Sequence, residues 1–88
     1  MPEKLTLSNG TELENSSAIL SGNLFLYIRG EDMKTVFDLL IDPENTEEIV
    51  YTMINGEDRT FSGFNKLIAV TDEENGLITA VLRREVNN

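Results

Sequence analysis

The chain has 88 residues, of which 40% are apolar, and 16 acidic against 7 basic side chains give it a net charge of −9. It contains no cysteine and no histidine, which excludes disulfides, thiolate nucleophiles, imidazole bases and the usual zinc ligands. Its acidity also argues against direct binding to nucleic acid, because cationic side chains must meet the phosphates.

Three Asn-Gly dipeptides, at positions 9–10, 55–56 and 75–76, predict tight hairpin turns. Both residue types tolerate the positive φ that such turns require. Around the first dipeptide, a loop of three or five residues between 4–8 and 11–14 sorts apolar and charged side chains onto opposite faces. This sorting predicts Leu7 opposite Leu13, with Gly10 near a bulge.

The middle of the chain predicts a central strand followed by a single helix. Residues 15–23 are polar and small except for Ala18-Ile19-Leu20, and they suit a loop with a short buried anchor or a weak strand. Residues 24–28 are apolar throughout, which favours a central strand covered on both faces. Between Glu31 and Asp42, apolar residues recur at helical spacing and form one stripe: Met33, Val36, Phe37, Leu40 and Ile41. Pro43 ends this helix, because the residue before a proline is pushed out of the helical region.

Two further hairpins are predicted after the helix. Residues 48–55 alternate and pair back onto 59–61, and residues 66–71 pair with 77–84 through a loop of about five residues. The second pairing is expected to set Val70 opposite Ile78. The predicted fold is α+β, with a mainly antiparallel twisted sheet of five to seven strands and one helix (about 31–42) packed on a face. Residues 1–88 form one domain, with a frayed tail over 85–88.

No apolar run approaches the ~20 residues needed to cross a bilayer. The opening Met1-Pro2-Glu3-Lys4 has no apolar stretch of the kind that a signal peptide carries. We therefore expect a cytoplasmic protein that does not contact membranes.

Carboxylates are the only abundant reactive side chains, and they follow the turns. The clusters are Asp42/Glu44, Glu47/Glu48 and Asp72-Glu73-Glu74. An acid–base pair for sugar chemistry needs two carboxylates facing each other across a cleft, one of them desolvated. The last cluster also lacks the alternating oxygen ligands of a calcium loop. We therefore expect no enzyme activity, no metal or cofactor and no small-molecule substrate.

Two kinds of residue are candidates for binding a partner. Tyr27 and Tyr51 are expected to present hydroxyl groups at the surface, where tyrosine supports interfaces, whereas the phenylalanines are expected mainly in the core. The acidic residues Asp72, Glu73 and Glu74 form either a solvated turn or part of a carboxylate array that imitates nucleic acid.

Two functional hypotheses follow from these candidates. The first is a non-enzymatic protein-binding or assembly module, whose partner is another protein or a second copy that covers an exposed sheet edge. The alternative is an acidic inhibitor that mimics nucleic acid and occupies the groove of a host DNA-binding protein or nuclease.

A family resemblance favours a phage context. The segments Leu5-Thr6-Leu7-Ser8-Asn9-Gly10, 45–51, Thr60-Phe61-Ser62-Gly63-Phe64 and 76–83 resemble small phage and prophage proteins of Gram-positive bacteria. Those proteins open with a similar hairpin and carry an aromatic-Gly-aromatic step before a closing hairpin. The resemblance implies a structural or accessory protein of a phage, located in the infected host or in the virion, and it transfers no catalytic residue.

Overall fold

The computed structural model describes residues 2–85, which form eight strands and one α-helix. In chain order these are β1 (Lys4–Thr6), β2 (Glu12–Glu14), β3 (Ser17–Ser21), β4 (Asn23–Arg29), α1 (Met33–Leu40), β5 (Glu48–Thr52), β6 (Asp58–Ser62), β7 (Lys66–Asp72) and β8 (Leu77–Arg83). A single 3-10 turn, Glu74–Gly76, joins the last two strands. The predicted fraying of the tail falls on residues 86–88, which lie outside the described range.

The α+β class is confirmed, but the prediction of one sheet of five to seven strands is wrong. The strands form two antiparallel sheets of four, a first sheet in the order β2-β1-β5-β6 and a second in the order β3-β4-β8-β7. Their apolar faces share one core. A helix of eight residues is too short to cover an extended sheet, so the chain buries one sheet face against the other.

The chain passes from the first sheet to the second at Asn15 and Ser16. Asn15 has a φ of 53°, which turns the backbone, and Ser16 is buried directly after it. The Ser16 hydroxyl donates to the carbonyl of Glu14 at 2.9 Å and accepts the backbone N–H of Arg29 at 3.4 Å. The corner between the sheets therefore has its buried polar group satisfied.

Two hairpins turn at Asn-Gly pairs, as predicted, and both use a three-residue loop; this length was one of the two predicted for the first hairpin. The Leu7 N–H donates to the Thr11 carbonyl at 2.9 Å, and the Met53 N–H donates to the Glu57 carbonyl at 2.8 Å. In both loops the glycine has a φ near 87°, at +87° for Gly10 and +86° for Gly56. An L side chain rarely adopts this conformation, which explains the Asn-Gly preference.

The predicted strand pairings are wrong by two residues, although the predicted faces are right. Leu13 lies opposite Leu5 rather than Leu7, and Val70 lies opposite Ala80 rather than Ile78. A shift of two residues keeps every side chain on its face, so face sorting could not distinguish the two registers.

The core lies between the sheets and is almost entirely aliphatic. Strand β4 is an interior strand of the second sheet, as predicted, and Leu24, Leu26 and Ile28 on its inner face are fully buried. Leu26 lies between Ala18 and Ala80 on the neighbouring strands. The outer face of β4 is only half-buried, so its expected coverage on both faces is incomplete.

The helix is shorter than predicted, at residues 33–40 instead of 31–42. Glu31 precedes it, and Asp32 is its N-cap, with the carboxylate accepting the Thr35 N–H at 2.7 Å. Hydrogen bonding to Thr35 holds the pKa of the Asp32 carboxyl below its usual value. Because Asp32 is extended and caps a helical N–H that would otherwise be unpaired, the helix begins at the next residue, Met33.

Candidate protein-binding surface

An open apolar groove of about 300 Å³ runs between α1 and β7. The helix contributes Met33, Phe37 and Ile41, and the strand contributes residues 67–70. Four of the lining side chains are large and exposed: Met33 39%, Phe37 45%, Ile41 50% and Ile68 42%. Single exposed apolar residues are normal, but contiguous ones mark interaction surfaces.

The helix presents this surface because only part of its apolar stripe is buried in the core. Val36 and Leu40 are fully buried among the residues of both sheets. Phe37 and Ile41 lie farther around the helix, beside the groove. Lys34 and Asp38 form a 2.8 Å ion pair on the outer side, which leaves the groove side of the helix free of charge.

The other wall of the groove is an edge strand. Strand β7 pairs only with β8, and among residues 2–85 its outer edge has no backbone partner. A bulge between Leu67 and Ala69 leaves Ile68 without a partner on β8. The groove therefore combines an open sheet edge with apolar side chains.

The outer face of the second sheet continues the apolar surface. Ile19, Phe25, Val81 and Ala69 form one row across its four strands, and Ala69 also lines the groove. Ile19 at the far edge is 54% exposed.

The outer face of the first sheet is polar by contrast. On it Lys4 pairs with Glu12 at 2.6 Å, and the hydroxyl of Thr52 donates to Asp58 at 2.7 Å. An apolar row therefore crosses the outer face of the second sheet, whereas the outer face of the first sheet carries charged and hydroxyl side chains.

Charge is distributed unevenly along the hairpin of β7 and β8. Its turn carries Asp72, Glu73 and Glu74, all exposed, whereas Lys66 and Arg83 lie opposite each other at its open end. Neither of these cations forms an ion pair with any residue in 2–85. One end of the hairpin is therefore acidic and the other basic.

Arg84 lies beside this basic end and packs onto the protein. Its guanidinium carbon is 4.5 Å from the centre of the Phe64 ring, and its Nε donates to the Ser62 carbonyl at 3.2 Å. Phe64 in turn packs edge-on against Phe61, with ring centres 6.5 Å apart. Stacking over a ring orders the arginine while leaving its charge uncompensated.

The expectation that phenylalanines lie mainly in the core holds for Phe64 and in part for Phe61, which packs against the core, but it is wrong for Phe25 and Phe37. Phe64 is buried at 3% exposure, but Phe25 and Phe61 are half-buried and Phe37 is exposed. The aliphatic residues already fill the space between the sheets, so the larger rings lie at its margins. Phe37 is thus a surface residue that sequence reasoning placed inside.

The predicted partner-binding residues do not form one site. Tyr27 is half-buried on the outer face of the second sheet, in the same cross-strand row as Thr71, next to Asp72. Tyr51 belongs to the first sheet, and its hydroxyl donates to the carboxylate of Glu3. This bond, together with partial burial, raises the pKa of the Tyr51 phenol.

Sequence reasoning missed the groove residues. A signal was present, because the apolar stripe is wide for a short helix: four of its residues lie among the eight helical ones, and Ile41 follows as the C-cap. Which part of the stripe remains outside depends on how the helix meets β7.

Two further features bear on the chemistry. Among residues 2–85, no three acidic side chains come together as metal ligands would. In the same range no helix is long and apolar enough to cross a bilayer.

No protein family, curated protein or solved structure matches this chain.

Proposed function

We propose that this protein is a non-enzymatic binding or assembly module that contacts a protein partner through the groove between α1 and β7. The observation that carries the proposal is the exposure of Met33, Phe37, Ile41 and Ile68, at 39–50%, around one groove. Burying such side chains on association removes apolar area from water, at about 25 cal/mol per Å². An extended partner segment would also pair with the free edge of β7.

The resemblance to phage and prophage proteins supports a structural or accessory role in that context. Such a role places the protein in the cytoplasm of an infected cell or in the virion.

Affinity capture with matched variants tests the proposal. Phe37→Asp introduces a charge into the groove, and Ile54→Asp introduces the same charge on the β5–β6 loop, where Ile54 is 66% exposed. We expect wild type and Ile54→Asp to capture the same partner from infected cells and Phe37→Asp to lose it. Equal capture by all three proteins would contradict the role of the groove.

One observation favours the second candidate, a nucleic-acid-mimicking inhibitor. The outer face of the first sheet carries Glu12, Glu14, Glu48 and Asp58, with Lys4 as the cation among them. Carboxylates on a rigid sheet are suited to a groove that normally holds phosphates.

Salt dependence separates the two candidates. A mimic binds a host nuclease or repressor with an affinity that falls steeply with salt, and DNA competes with it. Replacing Glu14 and Asp58 with Gln and Asn would weaken that binding and leave binding through the groove unchanged. Binding that is insensitive to salt supports the assembly module.

A further inference from the structure

We propose that the cavity at the basic end of the β7–β8 hairpin binds a carboxylate that has an apolar side chain beside it, as the C-terminal residue of a protein chain does. The cavity has a volume of about 330 Å³ and is lined by Leu20, Gly22, Phe64, Arg83 and Arg84. Among the residues that the structure describes, none lines both this cavity and the groove between α1 and β7. The site therefore goes beyond the proposed function and does not depend on it.

The first support is a pair of guanidinium groups that no acid compensates. Arg83 and Arg84 both line the cavity, and neither forms an ion pair with any residue in 2–85. Lys66 lies directly opposite Arg83 on β7, where two like charges destabilise the pairing of the strands. A bound anion would offset this repulsion. In a chain of net charge −9, this end of the hairpin is therefore suited to a negatively charged ligand.

The second support is the fixed position of Arg84. Its guanidinium carbon is 4.5 Å from the centre of the Phe64 ring, and its Nε donates to the Ser62 carbonyl at 3.2 Å. The hydrogen bond uses Nε and leaves the terminal nitrogens for a ligand, in the planar fork that matches a carboxylate. Because these contacts already order the side chain, binding costs less conformational entropy.

The third support is apolar surface beside the arginines. Leu20 follows Ala18 by two residues on β3, so both side chains point to the inner face of the second sheet. Ala18 is 6% exposed, whereas Leu20 is 51% exposed. The inner face is therefore uncovered at this end of β3. An apolar side chain next to a bound carboxylate would cover Leu20 and remove apolar area from water.

The lining and the charge of the chain favour a C-terminal carboxylate over nucleic acid. Nucleic acid would bring many phosphates toward a protein of net charge −9, whereas a C-terminus brings a single negative charge. The sugars that join those phosphates are polar and would gain little by covering Leu20. A volume of about 330 Å³ lies at the lower end of the range for ligand sites, which suits one terminal residue rather than a long segment.

NMR titration with small probes tests the site. N-acetyl-leucine has a free carboxylate and an aliphatic side chain, and its neutral amide is the matched control. We expect N-acetyl-leucine to bind with a Kd on the order of 1 mM and to shift the amide signals of residues 20–22, 64, 83 and 84. The amide should bind about tenfold more weakly, because it lacks the charge that pairs with the arginines. Equal binding of the two probes, or shifts confined to other residues, would overturn the proposal.

Arginine variants with the same change of charge separate the site from the overall field of the protein. R83Q and R84Q each remove one guanidinium from the cavity, and R59Q removes an exposed one from β6 of the first sheet. R83Q and R84Q should each weaken binding of N-acetyl-leucine about tenfold, while R59Q should change it by less than about twofold. R84Q also loses the contact with Phe64, so R83Q, whose side chain is exposed, decides the test if R84Q does not fold. Equal weakening by R59Q would assign the binding to net charge and overturn the site.

Further probes identify the source of the carboxylate. A hexapeptide ending in leucine extends the probe into a chain, whereas isocaproate keeps the carboxylate and the aliphatic group without a peptide bond. Tighter binding of the hexapeptide supports a chain terminus. Tighter or equal binding of isocaproate would make a free acid the ligand, and tighter binding of inorganic phosphate would make it a phosphate; either result overturns the assignment. Phe37→Asp should bind every probe as wild type does, so the site and the groove are tested separately.

Discussion

Replacing Phe37 and Phe64 by alanine removes the same side chain from two different environments. Phe37 is 45% exposed, so about 100 − 45 = 55% of its surface is buried. Full burial of a phenylalanine contributes about 1.5–3 kcal/mol, so Phe37→Ala should lower the free energy of unfolding by about 1 kcal/mol. Phe64 is 3% exposed and holds the Arg84 guanidinium, so Phe64→Ala should cost about 3–5 kcal/mol.

Urea denaturation measures both losses. With an m-value of about 1 kcal/mol/M, the midpoint should fall by about 1 M for Phe37→Ala and by about 3 M or more for Phe64→Ala. Since small domains have a total stability of roughly 5–15 kcal/mol, Phe64→Ala approaches the limit of folding. The protein must be dilute enough to be monomeric, because dimer formation would add to the apparent stability.

Equal losses for the two variants would contradict the different burial of the two rings. They would mean that the helix side of the groove belongs to the core, and the binding surface proposed for it would not exist. A small loss at Phe37 together with lost partner capture separates a surface role from a packing role.

Two further predictions concern stability. Leu26→Ala should lower the free energy of unfolding by about 4 kcal/mol, because the alanines that flank Leu26 on both neighbouring strands cannot fill the cavity. Ile19→Ala is the control: its side chain is 54% exposed, so the loss should stay below about 1.5 kcal/mol. Thermal unfolding of the two variants measures both losses. Tyr51→Phe should cost about 0.5 kcal/mol near neutral pH, because the bond to Glu3 is partly exposed. Because the pKa of the Tyr51 phenol is raised in the folded state, the stabilisation by this hydrogen bond is complete below about pH 10 and disappears as the pH rises through the folded-state pKa. Urea titrations of wild type and Tyr51→Phe should therefore give the same stability above that pKa. A constant difference at all pH values would contradict the prediction.

Local signals accounted for the turns. Turns form at Asn9-Gly10 and Asn55-Gly56 as predicted, and the first has the predicted odd length, because the hydrogen bonds of each loop involve only five consecutive residues. The register beyond the first loop was predicted incorrectly, because Leu5 and Leu7 lie on the same face and both satisfy the hydrophobic pattern. In the structure, the Gly10 N–H donates to the Leu7 carbonyl inside a three-residue loop over 8–10.

The candidate surface was less accessible to sequence reasoning. Phe37 and Val36 are neighbours on one apolar stripe, yet Val36 is fully buried and Phe37 is 45% exposed. Hydrophobicity favours burial of both, and only the line of contact between α1 and β7 distinguishes them. The groove exists because packing of α1 buries Val36 and Leu40 and leaves the rest of the apolar stripe exposed.

The order of residues alone determined the α+β class, the helix near its true place, and the turns at each Asn-Gly pair, because these depend on backbone preferences within a few residues. Long-range packing set the division into two sheets, the identity of the edge strands and the choice of apolar residues that stay exposed. Each of these depends on which surfaces meet across the whole chain, where several arrangements satisfy the same alternation of polar and apolar residues.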